Sequence, residues 1–207
     1  MRGEIAMIIK IPAEWEERII LRPAQVWHAA TMLEKIDPET APNLQFCAEP
    51  ITLERQQAYL KRMIESPTDH LFVIIRRQDK ALLGTIGLHE HDKFNRTARL
   101  GRWIFSAIDR QQGYGSEAVF HLFRHYAFCL IQHLERQIAE NDGLPLHKVY
   151  VNLFVTNTSA QEYFKALGFK KECVLKKEYL LRGKWHDMVR LALFREDWEK
   201  ILKEQMR

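Results

Sequence analysis

The sequence predicts a mixed α/β fold in one domain, with its elements in the order βααβββαβαββ and a short helix after the last strand. Three observations support this prediction. Runs rich in β-branched and aromatic residues alternate with segments of helical periodicity. No internal repeat or low-complexity tract divides the chain. The length of 207 residues, with 46% hydrophobic and 28% charged residues, is typical of a globular domain that buries a substantial core.

The first half of the chain predicts a strand, two helices and a hairpin. Residues 19–22 form a short apolar strand, and residues 24–35 have helical spacing. A proline-containing loop leads to a second helix over residues 52–66, in which Thr52 is the expected N-cap. The runs HLFVIIRR and LLGTIGLHE then have the composition of an antiparallel hairpin, and a third strand follows over about residues 96–108.

The second half predicts two helices and three strands. Apolar residues recur at helical spacing from Gly115 to about Ile138, after which the sequence NDG stops the helix. The strand VYVNLFV precedes a helix capped by Asn157 and ended by Gly168. Two further strands, at about 171–181 and 185–194, flank an RGK turn and lead to the C-terminal helix.

Charge and cysteine content narrow the functional classes. The net charge of +4 is spread along the chain, and the tryptophans are not interleaved with a basic run, so we expect no nucleic-acid partner. The three cysteines are far apart without CxxC spacing, which indicates free thiols in a reducing compartment. The N-terminal segment is too short and too charged for a secretory signal, and no run reaches about 20 apolar residues. We therefore expect a cytoplasmic protein without a membrane partner.

The glycine pair in RQQGYGSEAV, residues 110–119, is the first functional signal. A strand, a turn containing Gly113 and Gly115, and a long helix together direct backbone N–H groups and a positive helix end at one point, as a phosphate site requires. A tight turn without a ligand is the alternative interpretation. The spacing is neither that of a P-loop nor that of a dinucleotide-binding fingerprint.

This block resembles motif A of the GNAT superfamily of acyl-CoA-dependent N-acetyltransferases, R/Q-x-x-G-x-G/A, with Arg110, Gly113 and Gly115 at its fixed positions. The segment VNLFVTNTSAQEYFKALGF resembles the next strand and helix of the family. The tail RGKWHDMVRLALFREDW resembles the closing hairpin of the branch that acetylates ribosomal-protein N-termini. The resemblance covers about residues 19–198. It implies a twisted, mostly antiparallel sheet of six to seven strands flanked by helices, in a domain over 19–207 behind an extension over 1–18.

The resemblance also implies a site for acetyl-CoA as co-substrate. We expect no metal, because His89 and His91 have no third ligand at a characteristic spacing. The pyrophosphate would lie on the backbone amides of residues 111–116, and the pantetheine arm would add as a strand near residues 104–106. A backbone N–H near Ile104 or Phe105 would donate to the thioester oxygen, and Asn157 would contact the pantetheine. The expected CoA contacts are Ile104, Phe105, Ser106, Arg110, Gln111, Gln112, Gly113, Tyr114, Gly115, Ser116, Asn152, Asn157 and Phe164.

The chain departs from the family at the acid and base positions. The usual base positions hold Asn152 and Arg99, and the usual acid positions hold Phe164 and Ala160. The remaining catalytic candidates are His89, Glu90 and Tyr163. The alternative for the HEH run is a polar strand end without a catalytic role, and strand alternation would place the two histidines, His89 and His91, on one face.

Two functions follow from these observations. The first is an N-acetyltransferase that moves an acetyl group from acetyl-CoA to a primary amine, either a protein N-terminus or a small molecule, by direct transfer in a ternary complex. The second is a CoA-binding regulatory protein with weak or no transferase activity, which the missing acid and base groups would explain. A homodimer is possible in either case.

Overall fold

The computed structural model describes residues 18–35, 51–106, 108–110, 112–128 and 145–205. These residues form the strands β1 (Ile19–Pro23), β2 (His70–Arg76), β3 (Leu82–Asp92), β4 (Thr97–Ile104), β5 (Lys148–Phe154), β6 (Lys170–Leu181) and β7 (Lys184–Phe194). The helices are α1 (His28–Lys35), α2 (Leu53–Glu65), α3 (Tyr114–Leu122), α4 (Thr158–Ala166) and α5 (Arg195–Gln205), and a π-helical segment, Phe123–Ala127, continues α3. The predicted order of elements is confirmed.

The strands form one sheet in the order β1-β2-β3-β4-β5-β7-β6. Neighbouring strands are antiparallel except for the central pair, β4 and β5, which run parallel. The connection between these two strands contains α3, as a parallel crossover requires. The expected mostly antiparallel mixed sheet is therefore confirmed.

Helices cover both faces of the sheet. The α1–α2 face carries a core to which both helices contribute, including Met32, Leu60, Val73 and Phe105. The α3 face carries a larger core to which α3, α4 and α5 contribute, including Val119, Phe164, Leu191 and Trp198. None of the helices in the described ranges is long and apolar enough to cross a membrane.

The helix ends follow the local sequence. The Thr52 hydroxyl accepts a hydrogen bond from the Arg55 N–H at 3.3 Å at the start of α2, and the Asn157 Oδ1 accepts one from the Ala160 N–H at 3.1 Å at the start of α4. Gly168 follows α4 with φ of 95°, a left-handed conformation that favours glycine. Both predicted N-caps and the predicted stop are confirmed.

Two predicted helices differ in extent. The first begins at His28 rather than at residue 24, because the Ala24 N–H donates to the Leu71 carbonyl at 2.8 Å and extends the β1–β2 ladder instead. The α-helical part of the third ends at Leu122, and the Phe128 N–H then bonds to the Phe123 carbonyl, five residues earlier. Three positions predicted to continue this helix, Leu130, Leu134 and Ile138, lie outside the described residues.

Candidate active site

A wedge opens between the two parallel strands in the middle of the sheet. The strands β4 and β5 pair only where residues 97–99 meet residues 148–150. Both continue in the same direction, β4 to Ile104 and β5 to Phe154, while each stays paired with its outer neighbour. The wedge, lined by residues 100–104 of β4 and 151–154 of β5, therefore separates strands that are otherwise part of one sheet.

Backbone polar groups of β4 point into the wedge. Hydrogen bonding alternates along an antiparallel pair, and the Phe105 N–H donates to the Leu83 carbonyl at 2.9 Å, so the odd-numbered residues of β4 bond to β3. The groups directed at the wedge belong to even-numbered residues: Leu100, Arg102 and Ile104. The Ile104 carbonyl accepts from Arg110 Nε at 3.2 Å, and the Ile104 N–H remains directed at the wedge.

The facing strand shows the same alternation. The Val155 N–H donates to the Asp187 carbonyl at 3.2 Å, which assigns the odd-numbered residues of β5 to bonding with β7. The backbone of Asn152 consequently faces the wedge. An extended ligand with amide groups can thus bond to both strands, as an added strand does.

The glycine loop lies between the end of β4 and the start of α3. Gly113 has φ of 84°, and its carbonyl accepts from the N–H groups of Ser116 and Glu117, each at 3.0 Å. The N–H groups of Tyr114 and Gly115 are in the first turn, without a carbonyl one turn earlier in the helix. A helix start with such N–H groups can bind an anion. Gln111, an expected contact, lies outside the described residues.

Two arginines hold this loop in place. Arg18 Nη1 donates to the Gln112 carbonyl at 3.2 Å, and the guanidinium also lies 5.0 Å from the Tyr114 ring centroid. Arg110 donates to two carbonyls at the end of β4, those of Ile104 and Phe105, the latter at 2.7 Å from Nη2. Arg110 thus braces the loop against β4, and a contact from its side chain to CoA stays a prediction.

Two expected CoA contacts have side chains in the hydrophobic cores. The Phe105 N–H donates to Leu83, its carbonyl accepts from Arg110, and its side chain is buried in the core of the α1–α2 face. Phe105 therefore cannot supply the oxyanion donor, which leaves Ile104. Phe164 is buried in the core of the α3 face, with its ring centroid 5.2 Å from that of Phe169, and a contact from its side chain to CoA stays a prediction. Another expected CoA contact, Ser106, accepts a hydrogen bond from the Ile108 N–H through its hydroxyl oxygen at 3.2 Å.

His89 is held by a partly buried carboxylate, that of Asp69. Its Nδ1 lies 2.9 Å from Asp69 Oδ1, and the Ser66 hydroxyl donates to Asp69 Oδ2 at 2.6 Å. Burial lowers the pKa of His89, and the nearby Arg99 adds to this effect. Burial raises the pKa of Asp69, but hydrogen bonds from Ser66 and His89 outweigh it and hold that pKa below its usual value. The imidazole is therefore neutral at pH 7, with its Nδ1 proton bound to an ionised Asp69.

The ring of His89 lies over two paired glycines. Gly87 on β3 is opposite Gly101 on β4, and a Cβ added at Gly101 would stand 2.8 Å from His89 Nε2. Since Gly101 is in the first part of the wedge, the second ring nitrogen of His89 reaches the site where the strands separate. In the described part of the chain, no group hydrogen-bonds to this nitrogen.

The predicted pairing of His89 with His91 on one face is wrong. A bulge follows His89, with Glu90 at φ of 55°, and interrupts the strand alternation. The His91 ring instead lies 5.7 Å from that of His70.

Glu90 belongs to a polar cluster that spans β3, β4, β5 and β7. Its carboxylate accepts from Arg99 Nε at 2.8 Å and from the Tyr150 hydroxyl at 3.1 Å. The Arg190 guanidinium lies 4.4 Å from the Tyr150 ring centroid, and its Nε donates to Asn152 Oδ1 at 3.0 Å. This polar cluster (Glu90, Arg99, Tyr150, Asn152 and Arg190) stands at the point where the wedge begins.

The remaining candidates lie on the α4 side of the site. The Ser116 hydroxyl and the Tyr163 hydroxyl are 3.3 Å apart, which joins α4 to the first turn of α3. Asn157 is exposed at the end of β5, with its Oδ1 used as the α4 cap. Among the described residues, no group of three or more His, Cys, Asp or Glu side chains could hold a metal ion.

Three residues of this site were not predicted from the sequence: Asp69, Tyr150 and Arg190. Asp69 is 20 residues from His89, and the two meet only because β2 and β3 pair in this register. Arg190 is 38 residues from Asn152 and meets it across the β5–β7 pair. These contacts depend on strand pairing, and nothing in the local sequence indicates them.

Comparisons with known proteins agree with this geometry. The acetyltransferase (GNAT) domain family matches residues 18–170. YdaF of Bacillus subtilis (strain 168), named provisionally as a ribosomal N-acetyltransferase, is 28% identical over 121 residues, which are 58% of this chain and 58% of that protein. The chain thus spans less than two thirds of this relative.

Solved structures share the fold. One from T. thermophilus, assigned provisionally as an acetyltransferase, has a TM-score of 0.73 at 21% identity and covers 92% of this chain and 93% of its own. A spermidine N-acetyltransferase from Vibrio cholerae, in complex with CoA and spermine, has a TM-score of 0.67 at 17% identity. The match covers 88% of this chain and 98% of that chain. With the family match over most of the described residues, these findings show that the chain belongs to the GNAT acetyltransferase family.

Proposed function

We propose that this protein transfers an acetyl group from acetyl-CoA to a primary amine, by direct transfer in a ternary complex. The observation that carries the proposal is the wedge between β4 and β5, which leads directly to the glycine loop. A ligand with an extended amide chain and a pyrophosphate at one end fits both features at once. Acetyl-CoA supplies a thioester carbonyl that an amine can attack.

The backbone supplies the expected CoA contacts. N–H groups of the α3 start, with Gly113 and Gly115 allowing close approach, would bind the pyrophosphate. The edge of β4 and the backbone of Asn152 would pair with the amides of the pantetheine, and Asn157 would contact the same arm. The Ile104 N–H, directed into the wedge, would donate to the thioester oxygen as charge develops there.

His89 is the proposed general base. An alkylammonium is protonated at neutral pH, and the neutral Nε2 of His89 would take this proton, directly or through one water. Asp69 is a positioning residue, because its bond to Nδ1 fixes the tautomer that leaves Nε2 as the acceptor. Glu90 has both oxygens bound by Arg99 and Tyr150, so we assign it to organising the polar cluster.

Tyr163 stays a predicted acid for the departing thiolate. Its hydroxyl is beside Ser116 at the start of α3, which puts it on the CoA side of the site. Replacing Tyr163 with Phe would remove the proton and keep the ring. A fall in kcat with unchanged acetyl-CoA affinity would support the acid role, whereas a fall in affinity alone would indicate a binding contact.

The test combines acetyl-CoA binding with turnover. Calorimetry measures acetyl-CoA binding, and free-thiol release measures transfer to peptides, polyamines and aminoglycosides. We expect binding and turnover with one class of amine. Binding without turnover would favour the regulatory alternative, which the Asn, Arg, Phe and Ala at the usual family positions motivate. Absence of acetyl-CoA binding would contradict both.

A further inference from the structure

Arg190 is fixed beside the wedge by two contacts. On β7 it is paired with Asn152 of β5, to whose Oδ1 its Nε donates at 3.0 Å. Its guanidinium stacks 4.4 Å from the Tyr150 ring centroid. The side chain is half-buried, so its orientation is set in advance and little rotamer entropy is lost when it binds a ligand.

This cation has no carboxylate partner in the part of the chain that the structure describes. The carboxylate of the polar cluster, Glu90, bonds to Arg99 and to the Tyr150 hydroxyl, which occupy both its oxygens. Asp69 lies four strands away from β7 and is bound to Ser66 and His89. The polar cluster therefore has two guanidiniums and one carboxylate, and the Nη groups of Arg190 remain as donors.

The position of Arg190 sets the distance to the reacting group. Adjacent strands are about 4.8 Å apart, and β5 alone separates β7 from the wedge. An anion on Arg190 would thus be one to two strand spacings from a thioester in the wedge. This separation exceeds that between the amine and the α-carboxylate of an amino acid. Its lower end matches the separation between the amine and the side-chain carboxylate of a glutamate, either free or at a protein N-terminus.

The same charges oppose a polycation. An amine acceptor with further ammonium groups would bring them near Arg99 and Arg190, where like charges repel. A carboxylate would instead accept the two parallel N–H bonds of a guanidinium fork. We propose that the acceptor amine carries a carboxylate, which Arg190 binds while the amine faces His89. This inference rests on the proposed transferase function and names its substrate class.

The first experiment compares acceptors with and without a side-chain carboxylate near the amine, and two of them are peptides that differ in this group alone. Free-thiol release from acetyl-CoA is measured with L-glutamate, a peptide with N-terminal Glu, the same peptide with N-terminal Gln, and spermidine. We expect kcat/KM to be at least 10-fold higher for a carboxylate-bearing acceptor than for the Gln peptide and spermidine. Preference for L-glutamate or for the Glu peptide identifies whether the carboxylate comes from a free amino acid or from a protein N-terminus.

The second experiment tests Arg190 itself. Arg190→Gln should raise KM for the carboxylate acceptor at least 10-fold without changing acetyl-CoA affinity, and Arg190→Lys should give an intermediate KM because it keeps the charge and loses the fork. Arg22→Gln removes one exposed positive charge on β1, five strands from β7, and should leave KM unchanged. Thermal unfolding confirms that each variant is folded.

The outcomes separate this inference from the proposed function. Failure to bind acetyl-CoA overturns the transferase proposal and the inference with it. Three results would overturn the inference alone, provided that acetyl-CoA binds. They are preferred turnover of spermidine or of the Gln peptide, no turnover of either carboxylate acceptor, and an unchanged KM in Arg190→Gln.

Discussion

Arg18 and Glu117 join the first strand to the helix that follows the glycine loop. Arg18 Nε donates to Glu117 Oε2 at 2.8 Å, and the Ile19 N–H donates to Oε1 at 3.2 Å. The Glu117 side chain is completely buried, whereas that of Arg18 is 33% exposed. Because Arg18 also donates to the Gln112 carbonyl, this pair positions both the helix start and the loop before it.

We expect Arg18→Met to destabilise the protein. It leaves the Glu117 carboxylate buried without its charge partner, and the loss should be about 3 kcal/mol, near the lower end for a broken buried pair because Arg18 is partly exposed. Denaturant unfolding measures it. Arg22→Met, which changes an exposed arginine of β1, is the control and should cost less than about 0.5 kcal/mol. Equal losses in both variants would contradict the assigned role of the pair.

The glycine loop can be tested with two matched glycines. Gly113 and Gly183 have φ of 84° and 75°, so Ala at either position should cost about 1 kcal/mol of stability through backbone strain. Only Gly113→Ala should also weaken CoA binding, measured by calorimetry, and Gly113→Val should abolish it. Gly183 lies in the β6–β7 turn, where an added Cβ meets nothing within 4 Å. A folded Gly113→Val variant with undiminished affinity would rule out the proposed phosphate site.

The position of His89 can be tested through the glycine beneath it. A Cβ at Gly101 would stand 2.8 Å from Nε2 and 2.9 Å from Cδ2 of His89, so Gly101→Ala must displace the ring. We expect a lower kcat and a lower melting temperature. In the His89→Ala background the same substitution should have little further effect on either, since the obstructing ring is gone. Additive losses in the double variant would show that the two residues act independently.

The pH dependence of kcat should report His89. A general base acts when it is neutral, so activity should be lost as pH falls through the pKa of His89, which burial holds below 6.5. This loss of activity forms the acidic limb of the pH profile of kcat. Asp69→Asn should alter the acidic limb and lower kcat, because it removes the ionised partner of Nδ1. His89→Gln should remove the limb. If the wild-type limb persists in His89→Gln, another group is the base.

Stability should also depend on pH through His125. Burial lowers the pKa of His125 to about 4, and the neighbouring His121 and Arg124 act in the same direction. An unfolded histidine titrates near 6.5, so between these values the folded state binds fewer protons than the unfolded state. The free energy of unfolding should therefore fall as pH decreases from about 6.5 to 4. His125→Gln should reduce that slope in urea unfolding, and an unchanged slope would assign it to other groups.

Features set by neighbouring residues could be predicted from the sequence. Thr52 and Asn157 cap helices through bonds three residues away, and the glycine spacing located the loop at Gly113. The start of α1 could not be predicted, because the Ala24 N–H bonds to Leu71, which is distant in the sequence. The helix therefore begins after Ala24, although the apolar spacing is helical from that residue.

In the candidate site, too, residue types could be predicted from the sequence, whereas contacts between distant residues could not. His89 was identified as a candidate from its residue type, but its partner Asp69 depends on the register of β2 with β3. Arg190 meets Asn152 and Tyr150 only when β5 and β7 pair, and nothing in the local sequence indicates that contact. The bulge at Glu90 separated two histidines that simple alternation would have placed together.

The wedge also leaves backbone groups in the middle of the sheet without a neighbouring strand. A sheet that opens between its central strands has four edges rather than two, and the two inner ones present unpaired amides where other sheets are most protected. Backbone amides of Arg102 and Ile104 should thus exchange with solvent faster than the paired amides of β3. Occupancy by an extended ligand would pair these edges, so binding should slow exchange there and protect the folded state against aggregation and proteolysis.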